Sequence, residues 1–144
     1  MILLDTPVVI GALSPSPDSH LIDWLNSHPI ETLFISASSL SALITVVVNT
    51  SSASSKDAED TTYSRIVSMF ESRIIPLDLA ATKKLHTFTR TLTDRNIAVP
   101  NLTLQNASIA ASRDYQLASL DTKPLSFLDV ELIDLGTTNL MESA

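Results

Sequence analysis

The stretch that decides the reading is Met1-Ile-Leu-Leu-Asp-Thr-Pro-Val-Val-Ile-Gly-Ala-Leu13. Ile2 to Leu4 is an apolar run of strand length, and it closes on a carboxylate, Asp5. Thr6 and Pro7 then open a helix. Thr6 is a residue type that caps a helix N-terminus, and Pro7 sits where a missing N–H costs nothing and a fixed φ already suits the helix. A buried strand with an acid at its carboxyl end is where open α/β sheets place their ligands. The competing reading is structural, since an Asp closing an apolar strand commonly serves as a turn or capping residue.

Working outward, the same rhythm of short apolar run and longer periodic run continues. Ser14-Pro-Ser-Pro17 is a breaker, and a helix from Asp18 or Ser19 carries Leu21, Ile22, Trp24 and Leu25 before Pro29 stops it. Thr32 to Ser36 reads as a buried strand. Ser36 to Ser39 caps a helix with Leu40, Leu43, Ile44, Val47 and Val48 spaced i, i+3, i+4, i+7, i+8. Its β-branched tail, Ile44 to Val48, is a weak helix former and leaves a strand as the alternative. Asn49 to Ser55 is a polar break of helix–helix loop length.

Asp57 begins the next helix, with acids in its first turn, Arg73 at its end, and Tyr63, Ile66, Val67 and Phe70 facing inward. Ile74-Ile75 is a short strand. Helices follow over Leu79 to Asp94 and from about Leu102 to Tyr115, then strands at Leu117 to Leu120, ending on Asp121, and at Glu131 to Asp134. Short buried strands alternating with helices predict a three-layer α/β domain, with a central parallel sheet of four or five strands and right-handed crossovers. The domain is expected over residues 1–135, with a frayed tail over 136–144.

Composition narrows the chemistry. With 44% hydrophobic and only 5% aromatic residues, the core must be built of Leu, Ile, Val and Ala. A net charge of −7, from 16 acids against 9 bases, argues against passive electrostatic binding to nucleic acid. It leaves room for an enzyme that holds nucleic acid through metal ions. The absence of Cys excludes disulfide and thiolate chemistry, and with only Gly11 and Gly136 no Gly-rich phosphate loop can form. His20, His28 and His86 lack the mutual spacing of zinc ligands, and no Gly-x-Ser-x-Gly elbow is present. Lys83, Lys84 and Arg90 read as a solvated helix face. Met1 runs straight into a strand with no basic leader, and no apolar run approaches the ~18 residues of a membrane span. The expectation is a soluble, cytoplasmic protein with no membrane partner.

Acids at two strand ends, Asp5 and Asp121, bracket a series of further segments: Phe34-Ile-Ser36 leading into a helix, Ile74-Ile-Pro-Leu-Asp78, Asn106-Ala-Ser-Ile-Ala-Ala111, Leu117 to Thr122 and Val130-Glu-Leu-Ile-Asp134. In order and spacing this resembles the PIN-domain family, and in particular the VapC-like toxin ribonucleases, over nearly the whole chain from Ile2 to Leu135. The resemblance implies a cluster of about four carboxylates at the carboxyl edge of the sheet, holding Mg²⁺ or Mn²⁺ to hydrolyse RNA phosphodiesters. It also implies an antitoxin protein as partner and a homodimer. Trp24 with Leu21, Ile22 and Leu25 is expected in the core, a dimer or antitoxin surface being the alternative.

The departures from the family pattern fall on the site. Asp5 and Asp121 match the first and last acids and are the expected metal ligands. Asn106 stands at the helix acid and completes the expected catalytic set. Ala42 stands where a Glu belongs, and Pro7 where an Asn is usual. Glu31, Asp114 and Asp129 are out of register as replacements. The functional expectation is a PIN-domain, VapC-like protein, in lineage a Mg²⁺-dependent endoribonuclease, with a degraded site that binds Mg²⁺ or Mn²⁺ weakly and cleaves RNA weakly or not at all. The alternative is a non-catalytic binding protein that keeps the fold for partner or dimer contacts.

Overall fold

The computed structural model describes residues 1–50 and 56–136. The chain order is β1 (Ile2–Leu4), α1 (Thr6–Ala12), α2 (Ser19–Asn26), a 3₁₀ turn (Ile30–Thr32), β2 (Leu33–Ser36), α3 (Ala37–Thr50), α4 (Lys56–Phe70), β3 (Ile74–Ile75), α5 (Leu79–Asp94), α6 (Asn101–Ser112), β4 (Gln116–Ser119), a second 3₁₀ turn (Lys123–Leu125) and β5 (Glu131–Asp134). The five strands form one sheet in the order β3-β2-β1-β4-β5, with every pairing parallel. The α/β architecture expected from the sequence is therefore the one observed. The chain builds outward from β1 to β3, then crosses back to lay β4 on the other side of β1. The order reverses between β1 and β4, and at such a switch point the strand ends leave a crevice.

Side-chain alternation along the strands divides the core in two. Ile2, Leu4, Leu33, Ile35 and Ala118 face a layer of α1 to α4, with Val8, Leu21, Leu43, Ile66 and Phe70. Leu3 and Leu117 face α5 and α6, with Ala81, Phe88, Leu92, Leu104 and Ile109. Both faces of the short strands are thus covered, which is why they read as unbroken apolar runs. On α6, Ala107 and Ala110 are fully buried, and their small side chains let the helix backbone lie close to the sheet.

Several local expectations need adjustment. Asp5, rather than Thr6, is the N-cap of α1, its side chain accepting from the Thr6 N–H at 2.9 Å. The Val-rich stretch 44–48 is helical within α3, the strand alternative not being taken. The expected break from Asn49 starts later, since α3 runs to Thr50, and its remainder lies outside the described residues, as does the tail beyond Gly136. Tyr63 is exposed at 44%, while Ile66 and Phe70 are buried, so the inward face of α4 is narrower than expected. The last long helix ends at Ser112, because Asp114 takes a left-handed φ of 57° that turns the chain into β4. Among the described residues no helix is long and apolar enough to cross a membrane.

Candidate functional site

The crevice between β1 and β4 is filled by one buried carboxylate and the donors around it. Asp5, at the carboxyl end of β1, is 1% exposed. Its Oδ1 accepts from the Thr6 N–H and from Asn106 Nδ2, both at 2.9 Å. Its Oδ2 accepts from Thr103 Oγ1 and Ser119 Oγ, again both at 2.9 Å. A carboxylate offers about four lone-pair positions, and four donors occupy them here. The donors come from α1, α6 and β4. Thr103 and Asn106 lie one turn apart on α6, so one helix face delivers both.

Asn106 extends the network across the sheet. Its Oδ1 accepts from Ser36 Oγ at 2.6 Å, and its Nδ2 also lies 3.2 Å from both Thr6 Oγ1 and Ser39 Oγ. Ser39 and Thr6 share a 2.7 Å hydroxyl contact, and the Ser39 N–H donates to Ser36 Oγ, which caps α3 as the sequence suggested. Next to this, Ser38 Oγ donates to Gln105 Oε1 at 2.8 Å and ties α3 to α6 at the rim. No buried side-chain polar atom lacks a partner among the described residues.

The structure brings Asp5 and Asn106 into direct contact. Asp121 lies at the same end of the sheet, just past β4: its backbone N–H approaches Ser119 Oγ at 3.4 Å, and Ser119 in turn donates to Asp5. The Asp121 side chain is exposed. Ala42 is half-buried on α3, one turn beyond Ser39, and brings no polar atom. Pro7 is exposed in the first turn of α1. Thr103, Ser39 and Ser119 are the members that sequence reasoning missed. The i, i+3 pairs Ser36/Ser39 and Thr103/Asn106 were the available signal, but hydroxyl pairs at that spacing are frequent in this Ser- and Thr-rich chain.

The three acids that could have replaced a lost ligand are at the wrong end. Glu31 precedes β2, while Asp114 and Asp129 precede β4 and β5. Asp114 and Asp129 line, with Lys84, Tyr115 and Glu131, a polar hollow of about 230 Å³ at the amino ends of β4 and β5. Among the described residues no three His, Cys, Asp or Glu side chains converge to hold a metal ion.

A second feature is apolar. Between α1, α2, the first 3₁₀ turn and α4 lies a groove of about 520 Å³, floored by Leu4, Val8 and Leu33. Its rim includes Leu13, Ile30 and Met69, exposed at 48%, 43% and 52%. Trp24 is half-buried against the core, as expected, with its ring 4.3 Å from that of His28. Arg73 braces the floor by donating to the carbonyls of Leu33 (2.6 Å), Ile30 and Met69, with its guanidinium 5.1 Å from the Phe70 ring centre. It thereby satisfies a carbonyl near the end of α4 and ties that end to the start of β2.

A five-stranded parallel sheet in this order, flanked by helices on both faces, is a PIN-like fold, as the solved structures it matches show. The FitAcB structure from Neisseria gonorrhoeae superposes with a TM-score of 0.82 at 23% identity, covering 93% of this chain and 97% of that one. VapBC2 from Rickettsia felis, bound to a DNA fragment from its promoter, gives 0.75 at 22% identity, over 93% of this chain and 98% of that one. VapBC-5 from Mycobacterium tuberculosis, a member of the VapBC family of toxin–antitoxin systems, gives 0.63 at 21%, over 92% and 97%. In sequence, the plasmid stability protein StbB of Pseudomonas syringae pv. tomato is 24% identical over 135 residues, 93% of this chain and 97% of its own length. No protein-family model matches the chain. The likeness to these structures is one of fold.

Proposed function

We propose that this protein is the PIN-fold, VapC-like component of a toxin–antitoxin-type pair, in lineage a Mg²⁺-dependent endoribonuclease hydrolysing RNA phosphodiesters, with cleavage weak or absent. The observation that carries this reading is the saturation of Asp5 by four donors in a pocket sealed from solvent. Mg²⁺ or Mn²⁺ requires carboxylate oxygens with lone pairs to spare. At Asp5 an ion must first displace an N–H, an amide and two hydroxyls, and then leave those donors unpaired. Asp121 and, at the end of β5, Asp134 are exposed at that end of the sheet, but among the described residues no three such groups converge. The residues present therefore do not fit the cation. The chemistry it would supply when bound, activation of a water and neutralisation of charge at the phosphoryl group, has no seat there.

The test is RNA cleavage by the full chain with Mn²⁺ or Mg²⁺, on structured and unstructured substrates. Product at the level of an EDTA control is expected. Robust metal-dependent cleavage that Asp121→Ala abolishes would replace this reading with an active nuclease. Asp121 is the suitable blank because its side chain is exposed, whereas loss of Asp5 strips four donors of their acceptor.

A binding role is the second reading, and the groove favours it. Contiguous apolar surface of this kind marks a docking site. Structures of like fold are of two-component VapBC and FitAB assemblies. The occupant assigned to the groove is an apolar segment of a separate antitoxin-type chain. The expected homodimer draws on another face, where Ile44 and Val48 of α3 and Tyr63 of α4 are exposed, and its measure is the mass in solution.

A further inference from the structure

We infer that the Asn106 amide does at this pocket what a bound cation would otherwise do, so that Asp5 belongs to a metal-independent joint between the layers. This deepens the reading above, on which it rests, by naming what replaces the metal. A buried carboxylate needs compensation, either a positive charge or a full set of donors. Among the described residues no cation pairs with Asp5, the ion pairs found there being Arg90 with Asp94 and Arg113 with Asp78. Compensation comes from neutral donors alone, and Asn106 is the one that reaches furthest. Its Nδ2 donates to Asp5 and lies near Thr6 and Ser39, while its Oδ1 accepts from Ser36. One side chain thus joins the ends of β1 and β2 to the starts of α1 and α3.

Only an amide serves both needs. A carboxylate at 106 could still accept from Ser36, but it would put an acceptor where Nδ2 now sits, 2.9 Å from Asp5 Oδ1. Two carboxylates that close must share a proton or a cation. An Ala at 106 would leave both Asp5 Oδ1 and Ser36 Oγ one partner short. The residue type at this single position therefore sets whether the pocket needs a metal.

The first experiment uses the metal-stripped, ¹⁵N-labelled wild-type chain titrated with Mn²⁺. The backbone amides of Thr6 and Ser39 and the side-chain amide of Asn106 are expected to broaden no more than those of α5, and the melting temperature to stay constant. The second compares melting in EDTA and in Mn²⁺. Asn106→Asp is expected to melt about 10 °C below wild type in EDTA and to regain at least half of that loss with Mn²⁺. Asn106→Ala should melt lower under both conditions alike. Selective broadening of the pocket amides in wild type, or Asn106→Asp melting with wild type in EDTA, overturns the inference. The cleavage assay is separate: wild type that takes up Mn²⁺ at the pocket yet leaves RNA intact refutes this inference and leaves the proposed function standing.

Discussion

The pocket at the carboxyl end of the sheet and the groove beside α4 are opposites. In the pocket, polar groups from the end of β1 and from β2, β4, α1, α3 and α6 are buried together, and each side-chain N or O has a partner among the described residues. In the groove, Leu13, Ile30 and Met69 leave apolar surface in contact with water. A closed polar network stabilises the fold and offers nothing to a ligand. An open apolar groove contributes little to the isolated fold, and on the proposed reading a partner completes it. Stability and function should therefore separate cleanly between the two regions, and substitutions can show whether they do.

The largest effect is expected at Asp5. Asp5→Ala leaves the Thr6 N–H, Asn106 Nδ2, Thr103 Oγ1 and Ser119 Oγ without their acceptor. Several buried donors lost at once should cost about 3–5 kcal/mol in urea unfolding, water entry sparing part of the full penalty. A loss below about 1 kcal/mol would mean that the pocket is wet and the closed description wrong.

Arg73 should come next; it belongs to the groove, where stability and binding are least separable. Arg73→Ala removes a guanidinium that holds three carbonyls and rests on Phe70. About 1–3 kcal/mol is expected, because the carbonyls nearest solvent recover water as a partner. The groove floor at Leu33 and Phe70 should loosen as well, so stability and partner binding fall together. Arg73→Lys should recover less than half, since one ammonium cannot reach three acceptors in a fixed fork.

Met69→Glu and Leu13→Glu come third on stability and first on binding. Both residues are about half exposed, so each change should move unfolding by no more than about 0.5 kcal/mol. Affinity for the antitoxin-type chain should fall tenfold or more by calorimetry, because a charge is carried into a desolvated groove. Unchanged affinity in both variants would remove the groove from the interface.

The contrast also marks what could be read in the sequence. The sheet was legible because each buried strand is an apolar run, and Asp5 stood out as an acid placed where such a run stops. The opposite facings of Leu3 and its neighbours Ile2 and Leu4 were not, since strands covered on both faces show no polar alternation. Two capping readings stood side by side because Thr6 is also a capping type; the structure takes the one at Asp5. The helical fate of Ile44 to Val48 lies outside local propensity; it follows from continuation of α3, with Leu40 and Leu43 against the core. The hydroxyl network of the pocket was invisible for another reason. Ser36 and Ser39 were legible as a helix cap, but their place in the pocket, like that of Thr103 and Ser119, appears only when four elements converge. Glu31, Asp114 and Asp129 were placed better, since each precedes a strand and so falls at the amino end.

The smallest effect is expected at Asp121, and a null result there is informative. Its backbone N–H touches Ser119 Oγ, the same hydroxyl that donates to Asp5, so it is the second acid nearest the pocket along the bonded network. If the pocket were an open acidic site, the two carboxylates would repel through it, and Asp121→Asn would relieve that repulsion in EDTA. In a closed pocket the Asp5 charge is already engaged by four donors, and the exposed Asp121 charge is screened by water and salt. The Ser119 contact uses the backbone, which the substitution leaves in place. Asp121→Asn should therefore unfold within about 0.5 kcal/mol of wild type, with or without Mg²⁺. Stabilisation by more than about 1 kcal/mol in EDTA, reversed by Mg²⁺, would show the two acids acting as a pair and reopen the pocket as a cation site.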